Sequence, residues 1–178
     1  MPHSTYSKIY DLLSVVKDSG PRDIFELSQH IHDSKLESFA IWRRTQGSDR
    51  SIKHYCSPSS VRRVIRFTHK LGLIELENQR TCRIQPAGEN ALMGENYPVQ
   101  LGTQLMKYMR DEIGLSFEDL KKVISSIKPP QVADSSTIFL AVSKRSGVDV
   151  SEESLRRLLF LLQRCGKLNA AIKKVYST

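Results

Sequence analysis

The sequence predicts a mainly helical chain with small β-hairpins, an α+β fold built as two units in tandem, residues 1–95 and 96–178. Three observations carry this expectation. Between Ser57 and Gln85 the apolar period changes from that of a helix to that of a strand pair. Most of the remaining chain places apolar residues at helical spacing. A segment of the first half also returns in the second after a shift of 94 residues, from Ser57 to Ser151.

The stretch Ser57 to Leu71 is strongly two-faced. At about 100° per residue, Val61, Val64, Ile65, Thr68 and Leu71 fall within roughly 120° of one another. Ser59, Arg62, Arg63, Arg66 and Lys70 gather on the other side. Gly72 supplies the left-handed residue that helix ends often need. Beyond it Ile74 and Leu76 alternate with Glu75 and Glu77, and Cys82 and Ile84 with Arg83 and Gln85, so a hairpin turning at Asn78-Gln79-Arg80 is predicted. Pro86-Ala87-Gly88 and a short helical piece from Glu89 to Met93 follow.

In chain order, Ser4 to Asp18 carries Tyr6, Ile9, Leu12, Leu13 and Val16 at helical spacing, with Ser4 as N-cap and Ser19-Gly20-Pro21 as stop. Asp23 caps a second helix that buries Ile24, Leu27 and Ile31. A third helix is expected from Asp33 to Gln46, with Leu36, Phe39 and Ala40 inward and Arg43 and Arg44 at its C-terminal end. Trp42 is assigned to the core, and Gly47 to Ser51 to a loop.

After a linker from Gly94 to Pro98, Leu101 to Ile113 is helical and Gly114 ends it. Ser116 opens a helix burying Leu120, Val123, Ile124 and Ile127, which Pro129-Pro130 terminates. Ser135 or Ser136 opens the next, Ile138 to Arg145, and Gly147 to Val150 turn into Ser151. From there the repeat runs: SPSSVRRVIRFTHKLG over SEESLRRLLFLLQRCG, with Arg62 and Arg63 over Arg156 and Arg157 and Gly72 over Gly166. A second ribbon, Leu168 to Ala171 and Lys173 to Tyr176, would complete that unit.

The order of basic helix, LGLIE, hairpin and PAGENAL resembles the winged-helix family of helix-turn-helix DNA-binding domains over about 35 residues. That resemblance implies two winged helices in tandem, the first reading a DNA major groove with helix 57–71. The chain between helices two and three is longer than the three or four residues of a minimal helix-turn-helix, a departure from the family pattern.

The charge agrees with a polyanionic partner. The chain carries a net +8, and Trp42 to Lys70 holds eight basic residues against Asp49 alone, a net +7. Three cysteines without CxxC spacing indicate neither a disulfide framework nor a zinc ribbon. The apolar run Leu158 to Leu162 is far short of a membrane span, and the polar N-terminus reads as no signal peptide, so a cytoplasmic, nucleoid or nuclear setting is expected. His30, His32, His54 and Cys56 lack zinc-finger spacing, and no metal or other cofactor is expected. No phosphate-cradling loop, nucleophile elbow or HExxH motif is present, so no catalytic residue is assigned.

The expected interface is thus Arg62, Arg63, Arg66 and Lys70 on the helix, with Ser57, Ser59 and Ser60 at its start. Arg43, Arg44, Arg50, Lys53 and Arg80 would neutralise flanking phosphates, and Arg156 and Arg157 would add contacts from the second unit. With about six phosphates engaged, affinity would drop about 10³-fold between roughly 50 and 200 mM salt. In the second copy Glu152 and Glu153 replace Pro58 and Ser59, and Phe160 stands where Arg66 was. Two carboxylates there repel phosphate, so Phe160 and Leu161 are assigned to a protein contact, as in a homodimer or a larger complex. The expected function is a sequence-specific double-stranded DNA-binding protein of the transcription-regulator type. The alternative is a recognition or interaction subunit of a DNA-processing, defence or chromosome-organising assembly.

Overall fold

A computed structural model of the protein describes residues 5–44, 51–127, 135–146, 148 and 150–168. The fold is mainly helical with small antiparallel sheets, and internal packing divides it into Met1–Tyr97 and Pro98–Thr178.

In the first unit, α1 (Thr5–Ser19) buries Ile9, Leu12, Leu13 and Val16, residues three and four apart that share one face. Gly20, at φ 66°, ends it. Next comes a two-residue strand, β1 (Arg22–Asp23), and then α2 (Ile24–Asp33). Asp23 does cap α2: its carboxylate accepts from the amides of Phe25 (2.8 Å) and Glu26 (3.4 Å). Ile24, Leu27, Ser28 and Ile31 face inward.

The helix expected from Asp33 to Gln46 does not form. The chain makes a 3₁₀ turn (Glu37–Phe39) and enters β2 (Ala40–Arg44), which pairs antiparallel with β3 (Ser51–Tyr55), Ala40 opposite Tyr55 and Arg44 opposite Ser51. Leu36, Phe39 and Ala40 have helical spacing, but only Phe39 and Ala40 are buried, and they seat the base of this ribbon. The Cys56 amide donates to the Phe39 carbonyl at 2.8 Å and closes that base. Residues 45–50 lie outside the described residues.

Helix α3 (Pro58–Lys70) starts at the expected cap, where Ser57 Oγ accepts from the Ser60 amide at 3.4 Å. It buries Val61, Ile65 and Thr68, and the Thr68 hydroxyl donates to the Val64 carbonyl at 2.8 Å. Gly72, at φ 68°, turns the chain into β4 (Ile74–Glu77), and Asn78 and Gln79 take positive φ at the hairpin tip before β5 (Thr81–Ile84). Leu76 faces Cys82 across the pair, and β1 adds to the other side of β5, with Arg22 opposite Cys82, giving the order β1-β5-β4. The short helix after the hairpin begins earlier than expected, as α4 (Pro86–Ala91), because Pro86 suits the first helical turn. Within it Gly88 lies under the Leu73 carbonyl, where a Cβ would be only 2.2 Å from that oxygen.

In the second unit, α5 (Tyr97–Tyr108) begins inside the stretch expected to be a linker. It runs into a π-helical turn (Met109–Ile113) that Gly114 ends at φ 73°. Ser116 caps α6 (Phe117–Ser126), accepting from the Asp119 amide at 3.1 Å. Leu120 and Val123 are buried, whereas Ile124 and Ile127 are only half-buried. Helices α7 (Ser135–Ser146) and α8 (Glu152–Arg164) pack on this core with Ile138, Val142, Leu155, Leu158, Leu159, Leu161 and Leu162. Pro129-Pro130, Gly147 and residues 169–178, hence most of the second ribbon, lie outside the described residues.

The repeat seen in the sequence extends to hydrogen bonds. Leu71 bonds Phe67, Gly72 bonds His69 and Leu73 bonds Thr68; 94 positions on, Cys165 bonds Leu161, Gly166 bonds Gln163 and Lys167 bonds Leu162. Gly72 and Gly166 share a left-handed backbone, at φ 68° and 69°. Ser57 and Ser151 cap their helices in the same way, at 3.4 and 3.3 Å.

Candidate functional site

The outer side of α3 presents Ser59, Arg63, Arg66 and Lys70 to solvent. The three cations stand at i, i+3 and i+7, so they form one stripe roughly 10 Å long along the axis. No acidic residue occupies the first turn of α3, whereas α8 carries Glu152 and Glu153 there. The partial positive charge of a helix N-terminus therefore adds to the stripe in α3 and is offset in α8.

Several cations elsewhere on the surface are paired locally. Arg83 pairs with Glu77 at 3.1 Å, Lys121 with Glu118 at 2.9 Å and Arg157 with Glu153 at 3.0 Å. Among the described residues, Arg63, Arg66 and Lys70 form no ion pair. Leaving three cations adjacent and unpaired raises the local potential, which attracts a polyanion.

Arg62 departs from the expected outward set. It is half-buried, its guanidinium donates to Ser28 Oγ at 3.1 Å, and its Cζ lies 4.8 Å from the centroid of the Phe25 ring. Position 62 lies beside the buried stripe, and α2 supplies both partners. The serines at the helix start bind one another: Ser57 Oγ is 2.9 Å from Ser59 Oγ and 3.2 Å from Ser60 Oγ.

Two of the expected flanking cations are held inside the unit. Arg80, at the hairpin tip, is bound by the Asp23 carboxylate, and that hydrogen bond, followed by those from the Phe25 and Glu26 amides, holds the Asp23 carboxyl below its ordinary pKa. Lys53 pairs with Glu37 and lies 5.9 Å from the Trp42 ring and 5.4 Å from Tyr55. Arg43 is exposed on β2, while the Arg44 side chain and Arg50 are outside the described residues. Trp42, assigned to the core by sequence, is instead 50% exposed.

In the second unit Arg156, Arg157, Phe160 and Glu153 line a shallow depression of about 260 Å³ on α8. Arg164 lies over the Phe160 ring at 5.3 Å. Leu161, expected outward as a protein contact, is fully buried: it stands at the margin of the apolar arc formed by Leu155, Leu158, Leu159 and Leu162, and the core of the second unit covers it. Sequence reasoning passed over Phe25 and Ile52, whose exposures of 55% and 50% follow from tertiary placement.

Of the suggested metal ligands, the His32 ring is spent on the Cys56 carbonyl at 2.9 Å and Cys56 Sγ accepts from Lys8 at 3.5 Å. Among the described residues no three histidines, cysteines or carboxylates cluster as metal ligands would. Burial pushes the Cys82 and Cys165 thiols up to about 12, which keeps them protonated and unreactive. No helix among the described residues is long and apolar enough to cross a membrane. No protein-family model, curated protein or solved structure matches the chain.

Proposed function

We propose that the protein binds double-stranded DNA in a sequence-specific manner, with α3 laid in the major groove, in the manner of a transcriptional regulator of the winged-helix type. The observation that carries this reading is the unpaired stripe of Arg63, Arg66 and Lys70 on a helix whose opposite side is core. A stripe of roughly 10 Å matches about three base-pair steps along one strand. The order α1, β1, α2, α3, β4, β5, with the β2–β3 ribbon inserted between α2 and α3 and β1 closing the sheet on β5, supports the winged-helix reading of the first unit. The matched caps of α3 and α8 support a second copy in the other unit, with Glu152 and Glu153 assigning it an auxiliary contact and not groove reading. A nucleoid or nuclear location follows from this function.

Selection of bound oligonucleotides from a randomised duplex pool tests the reading. Enrichment of a common motif is expected, and its loss when Arg63, Arg66 and Lys70 are all replaced by Ala. A pool that stays unenriched over repeated rounds refutes sequence-specific recognition.

A further inference from the structure

We infer that the β2–β3 ribbon is a second DNA-contacting element, which inserts into a groove of the same duplex beside the segment bound by α3; this rests on the function proposed above. A lone two-stranded ribbon is at best marginal in water, and here only its base is secured. Ala40 is 2% exposed, Ile41 is half-buried, and Trp42 and Arg43 stand in solvent. On the returning strand Ile52 and His54 are exposed as well.

The two faces differ. Trp42 is opposite Lys53 on one, and Arg43 is opposite Ile52 on the other. A docking site for a globular partner needs one apolar face, but this ribbon exposes a large side chain on both. A groove has two walls. A β-ribbon with its side chains is about 10 Å thick, and the major groove is about 12 Å wide. The charge selects nucleic acid over protein: from Ala40 to Tyr55 the sequence holds Arg43, Arg44, Arg50 and Lys53 against Asp49. Lys53 is occupied with Glu37 and the aromatic rings, so it stiffens the ribbon, while Arg43 stays exposed for phosphate. Trp42 is left to pack on sugar or base surface, which aromatic rings bind without regard to sequence. Cys56 and Ser57 join β3 directly to the start of α3, so the two elements reach the duplex together.

Trp42 is the chain's single tryptophan, which makes the test direct. The full chain is titrated with end-labelled duplex, reading label anisotropy for binding and tryptophan emission for the ribbon. Emission is expected to change in parallel with anisotropy, with the same midpoint. Trp42→Ala is expected to weaken binding about tenfold, with Trp42→Phe recovering most of it. Arg43→Gln, which leaves the aromatic face intact, is expected to weaken binding and lower the salt dependence, so the inference stays testable if Trp42→Ala folds poorly. Binding with unaltered emission overturns the inference and leaves the role of α3 standing. Emission that changes with protein concentration in the absence of DNA marks the ribbon as a self-association surface and also overturns it. Absence of binding removes both readings.

Discussion

Replacing Arg62 by Ala is expected to cost stability, which separates it from its neighbours on α3. Two contacts are lost: the hydrogen bond to Ser28 Oγ at 3.1 Å and the stacking of the guanidinium on Phe25 at 4.8 Å. A hydrogen bond to a charged group contributes about 1.5–3 kcal/mol when buried, and about 1 kcal/mol is reasonable at a half-exposed site. A cation–π contact near the surface adds about 0.5–1 kcal/mol. Ser28 keeps its own donation to the Phe25 carbonyl at 2.9 Å, so no buried hydroxyl is orphaned. The sum, about 1.5–2 kcal/mol, corresponds to a fall in Tm of roughly 6–16 °C for a unit of this size. Arg66→Ala, at an exposed position, is expected to stay within about 0.5 kcal/mol of the parent. Thermal and urea melts of both variants, with Phe25→Ala and the double variant Arg62→Ala/Phe25→Ala, isolate the pairwise coupling. Equal melting shifts for Arg62→Ala and Arg66→Ala, or no coupling between Arg62 and Phe25, would refute the placement of Arg62 against α2.

Two further predictions concern the frame that holds α3. Gly88→Ala drives a Cβ to 2.2 Å from the Leu73 carbonyl oxygen, a backbone atom that no rotamer change can move. A loss of about 2 kcal/mol or more in urea unfolding is expected, and a neutral result would mean that α4 does not sit under Leu73. Asp23, held below its ordinary value near 3.8 mainly by the Arg80 hydrogen bond, contributes stability that is present above that value and lost as pH falls through its folded-state value. Asp23→Asn should therefore be less stable than the parent at about pH 7, with the gap closing as pH falls through the folded-state value of Asp23. A gap that stays constant as pH falls would show that neither Arg80 nor the α2 amides hold the Asp23 carboxylate.

How much of this was legible depends on whether the determinant is local. The span of α3 and its Ser57 cap follow from periodicity and short-range hydrogen bonds, as does the Gly72 stop. Strand β1 has two residues and no period to read; it exists because β5 offers an open edge nearly 60 residues later. The ribbon was misread as a helix because Leu36, Phe39 and Ala40 mimic helical spacing, and the partner that makes Ala40–Arg44 a strand lies across residues 45–50. Trp42 followed that error to the wrong environment. Arg62 and Leu161 were misplaced for another reason. A helical wheel ranks angles, but burial at the margin of a face depends on what the neighbouring elements bring, here Phe25 and Ser28 for Arg62 and the apolar core of the second unit for Leu161.

The most direct test of the central claim, that the exposed cations of α3 lie against DNA phosphates, is the salt dependence of duplex binding by fluorescence anisotropy. With Lys53 and Arg80 held by Glu37 and Asp23, the exposed cations of α3 and the β2–β3 ribbon among the described residues are Arg43, Arg63, Arg66 and Lys70. About four phosphates give a slope of log K against log salt near −3.6, or roughly 150-fold weaker binding on going from about 50 to 200 mM. Arg66→Ala should reduce the slope by about 0.9 and leave the melting curve in place. A flat salt response, or an Arg66→Ala variant with unchanged affinity and slope, would contradict the assignment of α3 as the DNA-binding element.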